Sequence, residues 1–222
     1  MAERRQSHHY RRQLRPFIPL LVVWTFGLLA LAAALGQGVI RHETLLLDPV
    51  ATGRLPWYTG LISQLGAVVW CIAACAAAFG AAVSHLEGRM GAFRFLLGAA
   101  GVGTLMLVDD LFLLHSTVLP RFLGTSKTMV LATYALLILL WLARSLTEIA
   151  RTRVHLLVAT GAALGFSVIA DQRGFALWLE DGPKMLGILA WATYLTTTSW
   201  DITRSVVVAA RANARESVAA ER

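Results

Sequence analysis

Two adjacent aspartates and a histidine interrupt an apolar stretch that is otherwise typical of a membrane-spanning helix. Asp109, Asp110 and His115 lie within the segment LMLVDDLFLLH at residues 105–115. An acidic side chain costs roughly 2.5–3.5 kcal/mol at the centre of a membrane helix, so such residues usually face a helix bundle or a wet cavity. Carboxylates and an imidazole together can bind a metal ion, relay protons or act as general acid and base. The alternative is a helix end at which solvated acids meet lipid headgroups.

The spacing of these residues limits which of them can act together. Adjacent residues lie about 100° apart around a helix, so Asp109 and Asp110 cannot point the same way, and we expect at least one to face inward. His115 follows Asp109 by six residues, or about 240° of rotation, which puts the two on different faces of a continuous helix. They can act together only if other helices complete the site or if the helix ends before His115.

Further polar residues are predicted at a similar depth. Asp109 follows Arg94 by 15 residues and Asp171 follows Arg153 by 18, which places them roughly 22 and 27 Å along their helices. Glu180 begins a seam at helical spacing that is too polar to face lipid. The seam continues through Lys184, Gly187, Trp191, Tyr194, Thr198 and Asp201.

These positions together predict a polar pocket at one end of a helix bundle. Its predicted catalytic residues are Asp109, Asp110, His115, Asp171, Glu180 and Lys184. The residues predicted to line the substrate pocket are Ser63, Gln64, Trp191 and Tyr194. The predicted metal ligands are Asp110, His115 and Asp171, and the implied cofactor is a divalent metal ion such as zinc, which would activate water.

Composition identifies the elements that must position these residues. Of the 222 residues, 57% are hydrophobic and 15% charged, with a mean hydropathy of +0.62, whereas a soluble domain is about 25% charged. This composition excludes a soluble enzyme, a disordered chain and a secreted disulfide scaffold. We predict an all-α polytopic membrane protein. Its six transmembrane helices lie at about 17–39, 55–84, 93–118, 128–149, 154–171 and 184–204, between a basic tail at 1–16 and a second tail at 205–222.

The distribution of Lys and Arg predicts the orientation of these helices. Fourteen of the 20 basic residues fall on one predicted side of the membrane and six on the other. By the positive-inside rule, we expect both termini to be cytoplasmic and the polar pocket to lie in the outer leaflet. We also expect a bacterial-type inner or plasma membrane. Because topology explains the surplus of positive charge, and no basic, aromatic-bearing soluble surface is present, no nucleic-acid partner is expected.

Small residues predict where the helices approach one another most closely. Span three contains Gly98, Gly101 and Gly103, and span five contains the motif Gly161-Ala-Ala-Leu-Gly165. Glycines at such spacing are typical of tight helix contacts in membranes. We therefore expect these segments to close the bundle below the polar pocket.

The layout of Ser63, Asp109, Asp110 and His115 resembles that of alkaline-ceramidase-type membrane hydrolases, in which Ser, Asp and His on several spans hold a zinc ion. The His-x-x-x-His pair of that family's last span is missing here. The resemblance and the pocket together favour a metal-assisted hydrolase or related enzyme that acts on a lipid or amphiphile.

Two other functions stay open at the level of the sequence. In an ion- or proton-coupled transporter the buried carboxylates would bind cations, although the inner halves of the spans are largely apolar. In a non-catalytic subunit of a membrane complex, the polar groups would bind a partner protein, which the sequence does not identify.

Overall fold

Helices form almost all of the part of the chain that the structure describes. A computed structural model describes residues 18–38, 40 and 48–220 and contains no β-strand within them. The prediction of an all-α protein is thereby confirmed for these residues. The predicted basic tail at 1–16 and the last two residues of the second tail, 221–222, lie outside them.

The chain divides into two compact units, Met1–Thr59 and Gly60–Arg222. In the described part of the first unit, helix α1 spans Ile18–Gly36 and the short helix α2 spans Pro49–Thr52. Helix α2 begins after Asp48, whose side chain accepts a hydrogen bond of 2.9 Å from the backbone N–H of Ala51. This bond satisfies one of the donors that the start of a helix leaves unpaired.

The described part of the second unit contains five long helices, one short helix and a π-helical turn. The helices are α3 at Leu61–Leu86, α4 at Met90–Phe112, the short α5 at Leu119–Leu123, α6 at Lys127–Ile149, α7 at Val154–Gln172 and α8 at Leu177–Ala220, and the π-helical turn at Leu114–Val118 precedes α5. Four of them, α3, α4, α6 and α7, are long and apolar enough to cross a membrane, with hydropathies of 2.1, 1.6, 1.9 and 1.6. The described residues therefore indicate an integral membrane protein.

Helix α8 differs from the predicted last span in both its start and its length. The sequence Gly182-Pro183 predicts a helix start, because proline has no N–H to donate to the preceding turn. The structure instead begins α8 at Leu177 and continues it through Pro183 to Ala220, a total of 44 residues. At 1.5 Å per residue the helix is roughly 66 Å long, about twice the thickness of a bilayer's hydrocarbon core.

The five long helices of the second unit form an open arc. Helix α3 packs against α4 on one side and α8 on the other, α4 continues the arc to α6, and α8 continues it to α7. The core lies where α3, α4 and α8 meet, and small side chains on α3 allow this close packing. Ala73 and Ala77 are fully buried there, beside Leu96 of α4 and Leu195 of α8.

Glycines permit close approach at some of the predicted positions and not at others. Added Cβ atoms would crowd Trp141 at Gly98 and Ala74 at Gly103, so these two glycines do bring helices together, as predicted. The prediction was wrong for Gly101, Gly161 and Gly165, where an added Cβ would meet no atom of a neighbouring helix within 4 Å. The close contact between α7 and α8 depends instead on Gly187, where a Cβ would lie 2.6 Å from Leu164 Cγ.

Candidate functional site

Helix α4 ends one turn before His115, and this ending assembles the site. Leu113 adopts φ 52° and ψ 44°, a left-handed conformation that is uncommon for a residue other than glycine. The chain turns there, and the π-helical segment that follows carries His115 back toward α4. Of the two arrangements in which Asp109 and His115 can act together, the structure has the one in which the helix ends early.

Asp109 is buried and accepts three hydrogen bonds. Its Oδ1 accepts from the backbone N–H of His115 at 2.8 Å and from the Tyr134 hydroxyl at 3.1 Å, and its Oδ2 lies 2.5 Å from His115 Nδ1. The side chain of Asp109 is 8% exposed and that of His115 is 20% exposed. Because a carboxylate accepts, Nδ1 carries the proton, which leaves His115 Nε2 as the ring nitrogen free to accept a proton.

Asp110 points to the other side of α4 and has different partners. Its Oδ1 accepts a hydrogen bond of 2.7 Å from Lys184 Nζ on α8, and its Oδ2 accepts one of 3.0 Å from Trp70 Nε1 on α3. Adjacent positions on a helix point about 100° apart, so the two aspartates serve different parts of the bundle. We expected at least one of them to face inward, and both do.

Asp171 joins the two ends of the helix arc. Its Oδ1 accepts a hydrogen bond of 2.6 Å from Lys127 Nζ, at the start of α6. One residue further on each helix, Thr128 donates to Gln172 at 3.3 Å. These two contacts and the connection at 150–153 join α6 to α7 at their ends, while the helices do not pack closely in between.

The space between α6 and α7 is a cavity of about 600 Å³. Its polar end is lined by the six residues predicted to be catalytic, namely Asp109, Asp110, His115, Asp171, Glu180 and Lys184. The remaining lining is largely apolar and includes Val102, Met106, Leu131, Ile138, Leu142, Leu157 and Leu164. The structure therefore brings these six residues together at one cavity, and their catalytic roles stay a prediction.

The cavity is open along the side of the second unit. Several residues that line it are also exposed, namely Ala135, Leu139, Gly161, Gly165 and Val168. They stand on the facing sides of α6 and α7, which explains why the two glycines of the predicted packing motif have no neighbours. This opening gives a ligand access to the cavity from the side of the second unit.

Aromatic side chains form the cavity wall next to the core. Trp70, Trp141, Trp191 and Tyr134 all line the cavity. The indole of Trp141 donates to the backbone oxygen of Phe95 at 3.1 Å, whereas Trp191 Nε1 is buried with no hydrogen-bond partner among the described residues. Trp191 is 4% exposed, so this donor is unpaired in a place that bulk water does not reach.

The other residues predicted to line the pocket lie elsewhere. Ser63 borders a separate cavity of about 30 Å³, together with Asp110, Asp181 and Lys184. Gln64 is exposed and lines neither of these two cavities. Tyr194 is fully buried in the core, and its hydroxyl lies 2.9 Å from Thr152 Oγ1 near the opposite end of the bundle.

Trp70, Lys127 and Tyr134 contribute to the site and were not predicted. Each is the partner of an aspartate on a different helix, at a separation of 25 to 44 residues along the chain. Lys127 and Tyr134 do have a signal in the sequence, since polar groups at that end of span four stand at the depth predicted for the pocket.

The predicted metal ligands do not form a metal-binding group. Asp110, His115 and Asp171 each bind a different partner, namely Lys184, Asp109 and Lys127. Among residues 18–38, 40 and 48–220, no three His, Cys, Asp or Glu side chains come together in a way that could hold a metal ion. The zinc prediction is thereby corrected, because acid–base pairing uses the groups that would have been ligands.

Comparison with known proteins places the chain in a family. Residues 18–198 match the family model described as "Domain of unknown function (DUF8692)". This match covers most of the 222 residues, so the chain belongs to that family. No curated protein and no solved structure matches the chain.

Proposed function

We propose that this member of the DUF8692 family is an integral membrane enzyme that binds an amphiphile in the cavity between α6 and α7 and uses His115 as a general base. One observation carries the proposal. The pair formed by His115 and Asp109 stands at the polar end of a long, apolar cavity that is open to the side. This arrangement presents a reactive imidazole where the polar part of an amphiphile would sit.

The proposed topology has six spans with both termini in the cytoplasm of a bacterial-type inner or plasma membrane. The four apolar helices of the second unit are joined by α1 and by residues 184–204 of α8 as the first and last spans. The excess of Lys and Arg on one side supports this orientation. The polar end of the cavity then lies in the outer leaflet.

The dimensions of the cavity support an amphiphile with a long apolar chain. On α7 the lining runs from Asp171 at the polar end to Leu157, which is 14 residues or roughly 21 Å of helix. Each methylene group that leaves water for such a site contributes about 0.8 kcal/mol. A ligand already in the bilayer gains less than this, so the polar contacts at the end of the cavity would determine which amphiphile binds.

The histidine supports a hydrolysis or acyl-transfer reaction. Asp109 fixes the ring through Nδ1, so Nε2 can take a proton from water or a hydroxyl group as that oxygen attacks a carbonyl carbon. The same nitrogen then returns the proton to the leaving group when the bond to the carbonyl carbon breaks. General base catalysis of this kind typically contributes about 10²–10⁴-fold to the rate.

An ion- or proton-coupled transporter has less support from the cavity lining. Ions need polar groups along their whole path, whereas the lining beyond the polar end is supplied by side chains such as Met106, Ile138 and Leu157. A non-catalytic subunit would have the same fold. Its function would not require His115, whereas the activity of the proposed enzyme would.

Two matched glycine variants test amphiphile binding. Gly165 and Gly101 are both helical glycines with open space around them, but only Gly165 lines the cavity. With protein in lipid nanodiscs, a dodecan-1-ol that carries bromine on its chain should quench tryptophan fluorescence. We expect Gly165→Leu to reduce this quenching strongly and Gly101→Leu to leave it unchanged. Equal quenching in the two variants would contradict binding in this cavity.

The catalytic role of His115 is tested with long-chain reporter substrates. Release of nitrophenol from 4-nitrophenyl dodecanoate, and of nitroaniline from the corresponding anilide, should fall at least about 100-fold in His115→Ala. His155→Ala is the matched control, because His155 lies on α7 outside the cavity lining. Activity that is equal in both variants would refute the catalytic role and leave only binding.

A further inference from the structure

The charged groups at the polar end of the cavity are paired, with one exception. Both lysines and the histidine are bound to carboxylates in the pairs Asp109–His115, Asp110–Lys184 and Asp171–Lys127. Glu180 also lines the cavity and is half-buried, but among the described residues it makes no hydrogen bond and no ion pair. Among the described residues, the polar end of the cavity therefore has one unpaired carboxylate and no unpaired cation.

The surroundings of Glu180 add to the local negative charge. Its burial, together with the nearby carboxylates of Asp171 and Asp181, raises the pKa of Glu180 and outweighs the opposite effect of the ammonium groups of Lys127 and Lys184. A carboxylate in such a place is stabilised by a cation that comes within reach. An anionic headgroup would instead meet these carboxylates, and would have to displace an aspartate to reach Lys127 or Lys184.

The wall beside the charged end is suited to a cation and has an unpaired donor of its own. Trp70 donates to Asp110 and so stands at the polar end, and the ring of Trp191 lies beside it with the two centroids 6.4 Å apart. Aromatic faces attract ammonium groups, most strongly when water is excluded. The buried Nε1 of Trp191, which has no partner among the described residues, is an N–H donor; an acceptor oxygen on the ligand could pair with it, whereas an ammonium group offers no acceptor.

We propose that the ligand of the cavity is a long-chain amphiphile with a protonated amine headgroup, which binds at Glu180 with its chain along the apolar lining between α6 and α7. This inference rests on the proposed function, because it names the class of amphiphile that the cavity takes. Charge complementarity selects the amine over a phosphate or carboxylate headgroup, and the unpaired carboxylate selects it over an uncharged alcohol.

Three probes with the same chain distinguish these headgroups. Dodecylamine, dodecan-1-ol and dodecyl phosphate compete with the uncharged brominated dodecan-1-ol for the protein in uncharged-lipid nanodiscs at neutral pH, and recovery of tryptophan fluorescence reports displacement. The amine should be the strongest competitor and the phosphate the weakest. Because one charge-assisted hydrogen bond is lost, Glu180→Gln should weaken the amine roughly tenfold and leave the alcohol unchanged. Glu87→Gln, at an exposed position on the α3–α4 turn, should change neither.

The outcomes separate this inference from the function on which it rests. If the amine competes no better than the alcohol, or if Glu180→Gln does not weaken it, the amine proposal is overturned while amphiphile binding stands. If the phosphate competes best, the site prefers an anionic headgroup and the argument from charge is refuted. If the brominated alcohol does not quench and no probe changes the fluorescence, both proposals fail together.

Discussion

Replacing Asp109 by asparagine would change the proton on His115 while keeping the shape of the site. The amide oxygen of the new side chain could still accept the backbone N–H of His115 and the Tyr134 hydroxyl. Its NH₂ group would then face Nδ1, where the carboxylate oxygen Oδ2 now lies at 2.5 Å. Because two donors cannot face each other, His115 should move its proton to Nε2, which removes the proposed base.

The expected loss of folding stability differs between Asp109→Asn and Asp109→Ala. Asparagine exchanges one charge-assisted hydrogen bond for a neutral one, a loss of about 1 kcal/mol. Alanine leaves the Tyr134 hydroxyl and the His115 N–H unpaired, and nothing then offsets the left-handed strain of Leu113, so we expect a loss of about 3–5 kcal/mol. These losses correspond to melting temperatures lower by roughly 3 °C and roughly 10 °C.

Nitrogen NMR of histidine measures the tautomer directly. The protein contains six histidines, and His115→Ala identifies the resonances of the one concerned. At alkaline pH, where the ring is neutral, we expect the proton on Nδ1 in the native protein and on Nε2 in Asp109→Asn. The reporter hydrolysis should fall on the order of 10⁴-fold, which is the cost of the wrong tautomer in a serine protease.

Two results would refute this reasoning. If the proton stays on Nδ1 in Asp109→Asn, the carboxylate does not set the tautomer. If asparagine lowers the melting temperature as much as alanine does, the amide has not taken over the hydrogen bonds to His115 and Tyr134. Thermal unfolding in detergent, followed by tryptophan fluorescence, measures the second quantity on the same samples.

The remaining predictions concern packing in the second unit and use unfolding by denaturant as the measurement. Trp141→Phe loses the hydrogen bond to the Phe95 carbonyl, whereas Trp191→Phe removes an indole N–H that has no partner among the described residues. Trp141→Phe should therefore lower the free energy of unfolding by about 1 kcal/mol more than Trp191→Phe. Equal losses would show that the Trp191 N–H is paired. Gly80→Ala places a Cβ 2.6 Å from Ser199 Oγ and should cost about 1–3 kcal/mol. Gly101→Ala has open space and should stabilise by about 0.5–1 kcal/mol; a loss of stability there would contradict the packing described.

The group of residues at the polar end could be predicted because apolar surroundings make each charge costly. Asp109, Asp110, Asp171 and Lys184 stand out in such a sequence, and helical rise places them at a common depth. All of them line one cavity. The partner of each could not be predicted in this way, because the pairing of Lys127 with Asp171 depends on how α6 and α7 stand relative to each other.

The geometry at His115 could not be predicted because it depends on a leucine in a left-handed conformation. Glycine is the residue that signals such a turn, and Leu113 carries no such signal. The motif Gly161-x-x-x-Gly165 failed for a related reason. Small residues permit close packing and equally permit a gap, and the sequence alone does not say which of the two the neighbouring helix provides.

Helix α8 connects the polar end of the cavity to residues 205–220 through one continuous helix. Glu180 lies in the first turn of this helix and Lys184 just after the second, and the helix continues to Ala220. Pro183 has no N–H to donate, so one backbone hydrogen bond is lost between Glu180 and the rest of this helix of roughly 66 Å. A ligand that moves Lys184, which follows Pro183, would therefore act on the same helical segment that carries residues 205–220.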